Sequence, residues 1–169
     1  MGVEARPSDL TLQKGEKKQF EILLKTLNES GEMDLVYARP HNIMLSDEDS
    51  RIATLVETQQ ILGVSTGRTR ILARSKEEPS CVGYCNVEVE GVVSVAISPV
   101  TKILNAGEQL TLSATVDAIG AVSREVSWTG DNSAVATVDS KTGKVTAVGV
   151  GEVEITARSR EDHSKSATV

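Results

Sequence analysis

The residues whose types could support chemistry are few: Cys81 and Cys85, His41 and His163, and one run of acids, Asp47-Glu48-Asp49. A structural zinc site takes four ligands of the Cys/His type. Two cysteines and two distant histidines do not supply a zinc pattern. Cys81-Val82-Gly83-Tyr84-Cys85 reads as a loop between the last two strands of the first half of the chain. Gly83 would let such a loop fold back into a short disulfide in an oxidising environment, and a pair of free thiols is the equal alternative. The oxygen ligands of Asp47, Glu48 and Asp49 make a weak calcium candidate, but they lack regular calcium-loop spacing, and a solvated acidic turn is the simpler reading. Ser159, Asp162 and His163 crowd one short stretch, an arrangement that does not give a nucleophile relay. There is no glycine-rich phosphate loop. The expectation is a chain that binds or displays a surface, without a catalytic residue, a cofactor or a metal.

Composition narrows what can hold these residues in place. Of 169 residues, 39% are hydrophobic and 25% charged, enough for packed cores and too apolar for disorder. Phe20, Tyr37, Tyr84 and Trp128 are the whole aromatic set, so Val, Ile, Leu and Ala must build the cores. Scarce aromatics also argue against base-stacking surfaces. Asp and Glu outnumber Lys and Arg by 24 to 18; the acidic balance is spread over both halves and argues against nucleic acid. No run of 18 apolar residues is present to span a membrane.

The sequence repeats itself. Ile61, Gly67, Ile71 and Ala73-Arg74-Ser75 align with Val145, Gly151, Ile155 and Ala157-Arg158-Ser159, an offset of 84. Pro7, Leu12, Gly15 and Glu16 align with Pro99, Leu104, Gly107 and Glu108, an offset of 92. The first copy is therefore longer, with its excess in residues 25–43. A period of roughly 80–90 residues suits one small sandwich per copy. The division predicted is 1–90 and 91–169, joined at Glu90-Gly91 by a linker short enough to predict a semi-rigid rod. Leu110, Leu112, Ala114 and Val116 alternate with polar residues, as do Val153, Ile155 and Ala157; this is the pattern of a sheet with one buried face. Turn signals recur between such runs, and helical periodicity is absent. The predicted fold is all-β, two tandem immunoglobulin-like antiparallel β-sandwiches. Trp128, within an alternating strand, is read as the core plug of the second.

The segments VSVAISPVTKILNAGEQLTLSATV (93–116), VSWTGDNSAVATVD (126–139) and GKVTAVGVGEVEITARS (143–159) resemble the bacterial immunoglobulin-like domain of group 2. That domain occurs in invasin- and intimin-type adhesins and in phage structural proteins. The first copy resembles a degenerate member, with Leu45 at the place of Trp128 and Ser65 at that of Gly149.

The copies differ most at positions that should face outward. Thr115, Thr146, Ser127 and Thr156 of the second correspond to Leu23, Leu62, Met44 and Leu72 of the first. Period-two counting places Leu23 and Leu62 side by side on one sheet, and Met44 and Leu72 on the other. Contiguous exposed apolar groups mark interfaces; the alternative is an inserted loop folded over one face. The resemblance, a Met1 start and the lack of a secretion signal lead to an expectation of a bacteriophage virion accessory protein decorating capsid or tail. Copy one would be its anchor on the virion shell or a sister subunit, and copy two its exposed arm. The alternative is an excised domain pair of a bacterial cell-surface adhesin facing a host protein or glycan, with Met1-Gly2 as a cloning remnant.

Overall fold

The computed structural model describes residues 2–38, 42–57, 59–100 and 102–169, with only the backbone of Leu27. The chain forms two compact units, Met1–Gly91 and Val92–Val169. Both are all-β, and no helix among the described residues is long and apolar enough to cross a membrane.

The first unit holds β1 (Gly2–Arg6), β2 (Asp9–Leu12), β3 (Lys17–Gln19), β4 (Glu21–Leu27), β5 (Met33–Tyr37), β6 (Ile43–Asp47), β7 (Ala53–Glu57), β8 (Gln60–Gly63), β9 (Gly67–Ser75) and β10 (Val82–Val89). One layer is the sheet β2-β10-β9-β6. Its pairs are antiparallel except β2 with β10, which run parallel. The opposing strands form the sheets β1-β4-β5 and β3-β8-β7, and β3 and β4 are one run of chain interrupted only at Phe20. Period-two alternation drives this arrangement. Leu10, Leu12, Ile71, Ala73, Cys85, Val87 and Val89 from one layer meet Ala5, Phe20, Ile22, Ala53 and Ile61 from the other in a single buried cluster.

The second unit holds β11 (Gly91–Ser98), β12 (Gln109–Thr111), β13 (Ser113–Ile119), β14 (Val126–Gly130), β15 (Ala136–Val138), β16 (Lys144–Ala147), β17 (Ile155–Ser159) and β18 (Ser166–Thr168). Its sheets are β11-β13, β12-β16-β15 and β14-β17-β18. Trp128 is 3% exposed and sits in a cluster with Ile97, Leu112, Val145, Ile155 and Ala157, the plug position read from the sequence.

The repeat holds at the level of hydrogen bonds. Gly15 and Gly107 have φ of +83° and +85°, the left-handed region where glycine is the favoured residue. Their N–H groups donate to Gly63 O and Ala147 O at 2.8 and 2.9 Å. In the same turns the Gln13 and Asn105 amides donate to the Glu16 and Glu108 carboxylates, both at 2.8 Å. Phe20 and Leu112 break the second strand at the same place, donating to Gln59 O and Gly143 O. Leu45 pairs with Ala73 as Trp128 pairs with Ala157.

The described part of the insertion extends a sheet edge. It forms a hairpin whose return strand, β5, pairs with β4 from Leu23↔Tyr37 to Leu27↔Met33 and widens the sheet by one strand.

Candidate functional site

The four outward apolar positions do not all behave as the alternation predicts. Leu23 is buried, at 5% exposure. It lies between Glu4 of β1 and Tyr37 of β5, and Glu4 binds Lys25 and Arg6 at 2.8 and 2.7 Å. Long charged side chains of this kind cover apolar surface with their stems, and the added strand β5 supplies a neighbour that the second copy lacks. Nor is Leu62 beside Leu23. It is half-buried, opposite Lys17 and Thr54 in the sheet β3-β8-β7, while Leu23 belongs to β1-β4-β5. The break at Phe20 hands the strand from one set of neighbours to another, so the predicted Leu23–Leu62 pair does not form.

The other pair does come together. Met44, on β6, faces Arg74, and Leu72, two residues away on the neighbouring β9, faces Ser46 on the same side. Met44 is 55% exposed and Leu72 half-buried. The next strand completes the row: Tyr84 of β10 is opposite Leu72 and 44% exposed. Its ring carries the Arg70 guanidinium 5.0 Å from its centroid, a cation–π distance. Arg70 is itself clamped by Glu48 through two bonds of 2.9 and 2.7 Å, which holds its pKa above the ordinary guanidinium value. Sequence reasoning missed Tyr84 because it took Cys81–Cys85 for a loop; the alternation Val82, Tyr84, Asn86 against Gly83, Cys85, Val87 was the available signal.

In the second unit the register-equivalent residues are Ser127, Thr156 and Thr168. There Thr156 and Thr168 exchange a hydroxyl hydrogen bond of 2.9 Å, where the first unit has the apolar pair Leu72–Tyr84. Of the exposed large apolar residues of the second unit, Val100, Ile103, Val148 and Val150 sit in loops and Val93 lies on β11.

The cysteines do not form the short loop disulfide. Cys85 is inside β10, fully buried in the core, and Cys81 is the residue before that strand. Four extended residues span roughly 13 Å at 3.3 Å each, beyond the 4.4–6.8 Å between the Cα atoms of a bridge. Neither is in a disulfide, and burial pushes the Cys85 pKa up to about 11. Gly83 allows close packing, not a turn: a Cβ there would meet Val3 O at 2.8 Å.

The acidic run is used internally. Asp47 accepts the Thr54 hydroxyl at 2.8 Å, Glu48 holds Arg70, and Asp49 takes the Arg51 side chain at 2.9 and 2.8 Å. The Arg51 contact holds the Asp49 carboxyl below its usual range. No group of three His, Cys, Asp or Glu residues among the described residues is arranged to hold a metal ion. Ser159 is buried and its hydroxyl accepts the Glu161 and Asp162 amides at 3.2 Å each, so it caps a turn. Ser75 accepts the Glu78 amide in the same way in the first unit. His41 lies outside the described residues.

Comparison with known proteins follows the same division. Residues 91–169 match the family described as bacterial Ig-like domain (group 2). A protein named Ig-like virion protein, from Serratia phage KSP90, is 38% identical over 73 residues, 43% of this chain and 28% of that protein's length. Among solved structures, domains 4 and 5 of the S-layer protein SbsC align over 100% of this chain and 96% of theirs, at 13% identity and a TM-score of 0.44. A C-terminal fragment of intimin, solved with the intimin-binding domain of its translocated receptor, aligns over 100% of this chain and 62% of its own, at 13% identity and a TM-score of 0.40. Residues 91–169 are a bacterial Ig-like domain of group 2, and they follow a first β-sandwich built on the same turns and register.

Proposed function

We infer that the chain is a non-catalytic structural component of a phage particle, attached through its first unit and displaying its second. The observation that carries this reading is the exchange of Ser127, Thr156 and Thr168 for Met44, Leu72 and Tyr84 at equivalent positions of two otherwise matching sheets. Methionine and tyrosine are enriched in interface cores, and here Arg70 and Glu48 hold the ring in place before a partner arrives. The virion name of the Serratia phage relative supports the location. The partner fitted to this face is a protein surface of the capsid or tail.

Mass spectrometry of purified particles, with immunogold labelling by antibodies against the second unit, tests the location. Label on particles is expected; label confined to the bacterial surface favours the adhesin reading and overturns this one. The attachment face is tested by returning chain to particles that lack it. Covering about half the apolar worth of three such side chains, roughly 3 kcal/mol, corresponds to about two powers of ten in affinity. Met44→Ser, Leu72→Thr and Tyr84→Thr together should remove that much while the melting curve keeps both units. Undiminished attachment would assign the anchor to another face.

A further inference from the structure

The hairpin strand β5 is the outer strand of β1-β4-β5, and all five of its residues are exposed. Four are large and apolar: Met33 59%, Leu35 44%, Val36 52% and Tyr37 67% exposed. Hydrogen-bonded and non-hydrogen-bonded pairs alternate along an antiparallel ladder. The Ala38 N–H donates to Ile22 O, and the Asn28 N–H to Glu32 O, both at 2.9 Å. With Leu24 opposite Val36 and Thr26 opposite Asp34, residues 32, 34, 36 and 38 turn their backbone groups toward β4. Met33, Leu35 and Tyr37 therefore turn theirs to the open edge.

Sheets guard such edges with lysine, proline, a bulge or a very short strand. Three other edge strands are guarded: β7 has a register shift between Leu55 and Glu57, and β15 and β18 are three residues each. β5 has no basic residue, no proline and a single acid, Asp34.

We propose that β5 is a self-association edge, pairing antiparallel with β5 of a second copy about a two-fold axis at Leu35. The strand is its own complement in that register. Leu35 meets Leu35 of the second copy, and Met33 meets Tyr37 of the second copy, so the residues with open backbone groups become the hydrogen-bonded positions. Each such pair exchanges two N–H···O=C bonds. Met33 brings a thioether to an aromatic ring, a favourable contact. On the other face Val36 lies opposite Asp34 of the second copy. Charge and coverage choose this axis. One at Asp34 sets two carboxylates directly opposite, which is destabilising, and one at Val36 carries Met33 past the end of the partner strand. A five-residue contact falls below the ~1,200 Å² of stable interfaces, so association is weak and depends on concentration.

Sedimentation velocity of the full chain from about 1 µM to about 1 mM, the range of weak contacts, reads this directly. The sedimentation coefficient is expected to rise with concentration toward a dimer. Leu35→Pro removes an amide donor that β4 does not use, a kind of edge position where a strand tolerates proline; it should abolish the rise and keep the circular dichroism spectrum. Should that variant not fold, the charge pair carries the test, since exposed Leu35 admits either charge. Leu35→Lys and Leu35→Glu should each be monomeric, and an equimolar mixture should dimerise, because residue 35 faces itself across the axis. A wild-type chain monomeric throughout, association indifferent to all three substitutions, or charge variants that stay apart when mixed would each overturn the proposal.

Discussion

Replacing Gly143 with alanine should unsettle the second unit from the turn inward. Gly143 has a φ of +71° and closes the turn that Asp139 caps through the Lys141 and Thr142 amides. An added Cβ would stand 2.7 Å from Trp128 Cε2 and 2.8 Å from Leu112 O. The left-handed conformation costs alanine about 1–2 kcal/mol. Overpacking against a ring and a backbone oxygen adds about 1–3 kcal/mol. Gly107 isolates the first effect from the second: its φ is +85°, and a Cβ there meets nothing within 4 Å. The two alanine variants should therefore differ by the overpacking alone. In a domain of this size 1 kcal/mol moves Tm by about 4–8 °C, so Gly143→Ala should melt at least about 4 °C below Gly107→Ala. Trp128 is the sole tryptophan, and its fluorescence follows the second unit by itself; its emission should also shift in Gly143→Ala and hold in Gly107→Ala. Coincident melting curves with unchanged emission would refute the packing argument.

Three further expectations follow from the same coordinates. Trp128→Ala should destabilise the second unit by about 3–5 kcal/mol, a large share of what a domain of this size has; a Tm that barely moves would place the indole outside the core. Cys85 has its pKa raised by burial from 9.0 to about 11, so the folded form holds its proton more tightly than the unfolded one and the contribution is complete below pH 9.0. Stability of the first unit should fall between those two values in chemical-denaturation curves, less steeply in Cys85→Ala, and native thiol alkylation should spare Cys85. Glu16 and Glu108 have lowered pKa values because the Gln13 and Asn105 amides donate to them. Their stabilisation is present above the ordinary carboxylate range and lost as pH falls through the lowered values; Glu108→Gln should flatten the acid limb of the second unit's pH profile, read by Trp128 emission.

Much of the fold was legible because one property, alternation, writes both strands and cores. Trp128, Ile155 and Ala157 could be placed inside from spacing alone, and the register of Leu45 against Trp128 followed from the repeat. The candidate surface was only half legible. Met44 and Leu72 are on adjacent strands of an uninterrupted sheet, where counting by two holds. Leu23 failed because alternation says which face a residue takes, not what its neighbours will do to cover it. Glu4, Lys25 and Tyr37 come from three separate stretches. Leu62 failed because the pause at Phe20 is invisible in a hydrophobic pattern that continues through it. Cys85 was misplaced because two cysteines around a glycine look like a turn, while the ladder from Val82↔Arg74 to Val89↔Gly67 runs straight through them.

The exchange of a leucine for a tryptophan at one matched position bears on how the chain folds. Tandem domains built on a common template risk swapping strands while both are unfolded. β6 and β14 are the strands most open to this, since each pairs with an Ala-Arg-Ser partner in the same register. If β6 docked in the second unit, Leu45 would leave empty the volume that an indole fills. In the first unit Leu45 lines an open cavity with Ile22 and Ile43, so the mismatch acts on β6 and not on β14. The wrong docking of β6 carries a cavity at its centre, so the divergence of the two plugs works as an address label that keeps the leucine strand out of the second sandwich.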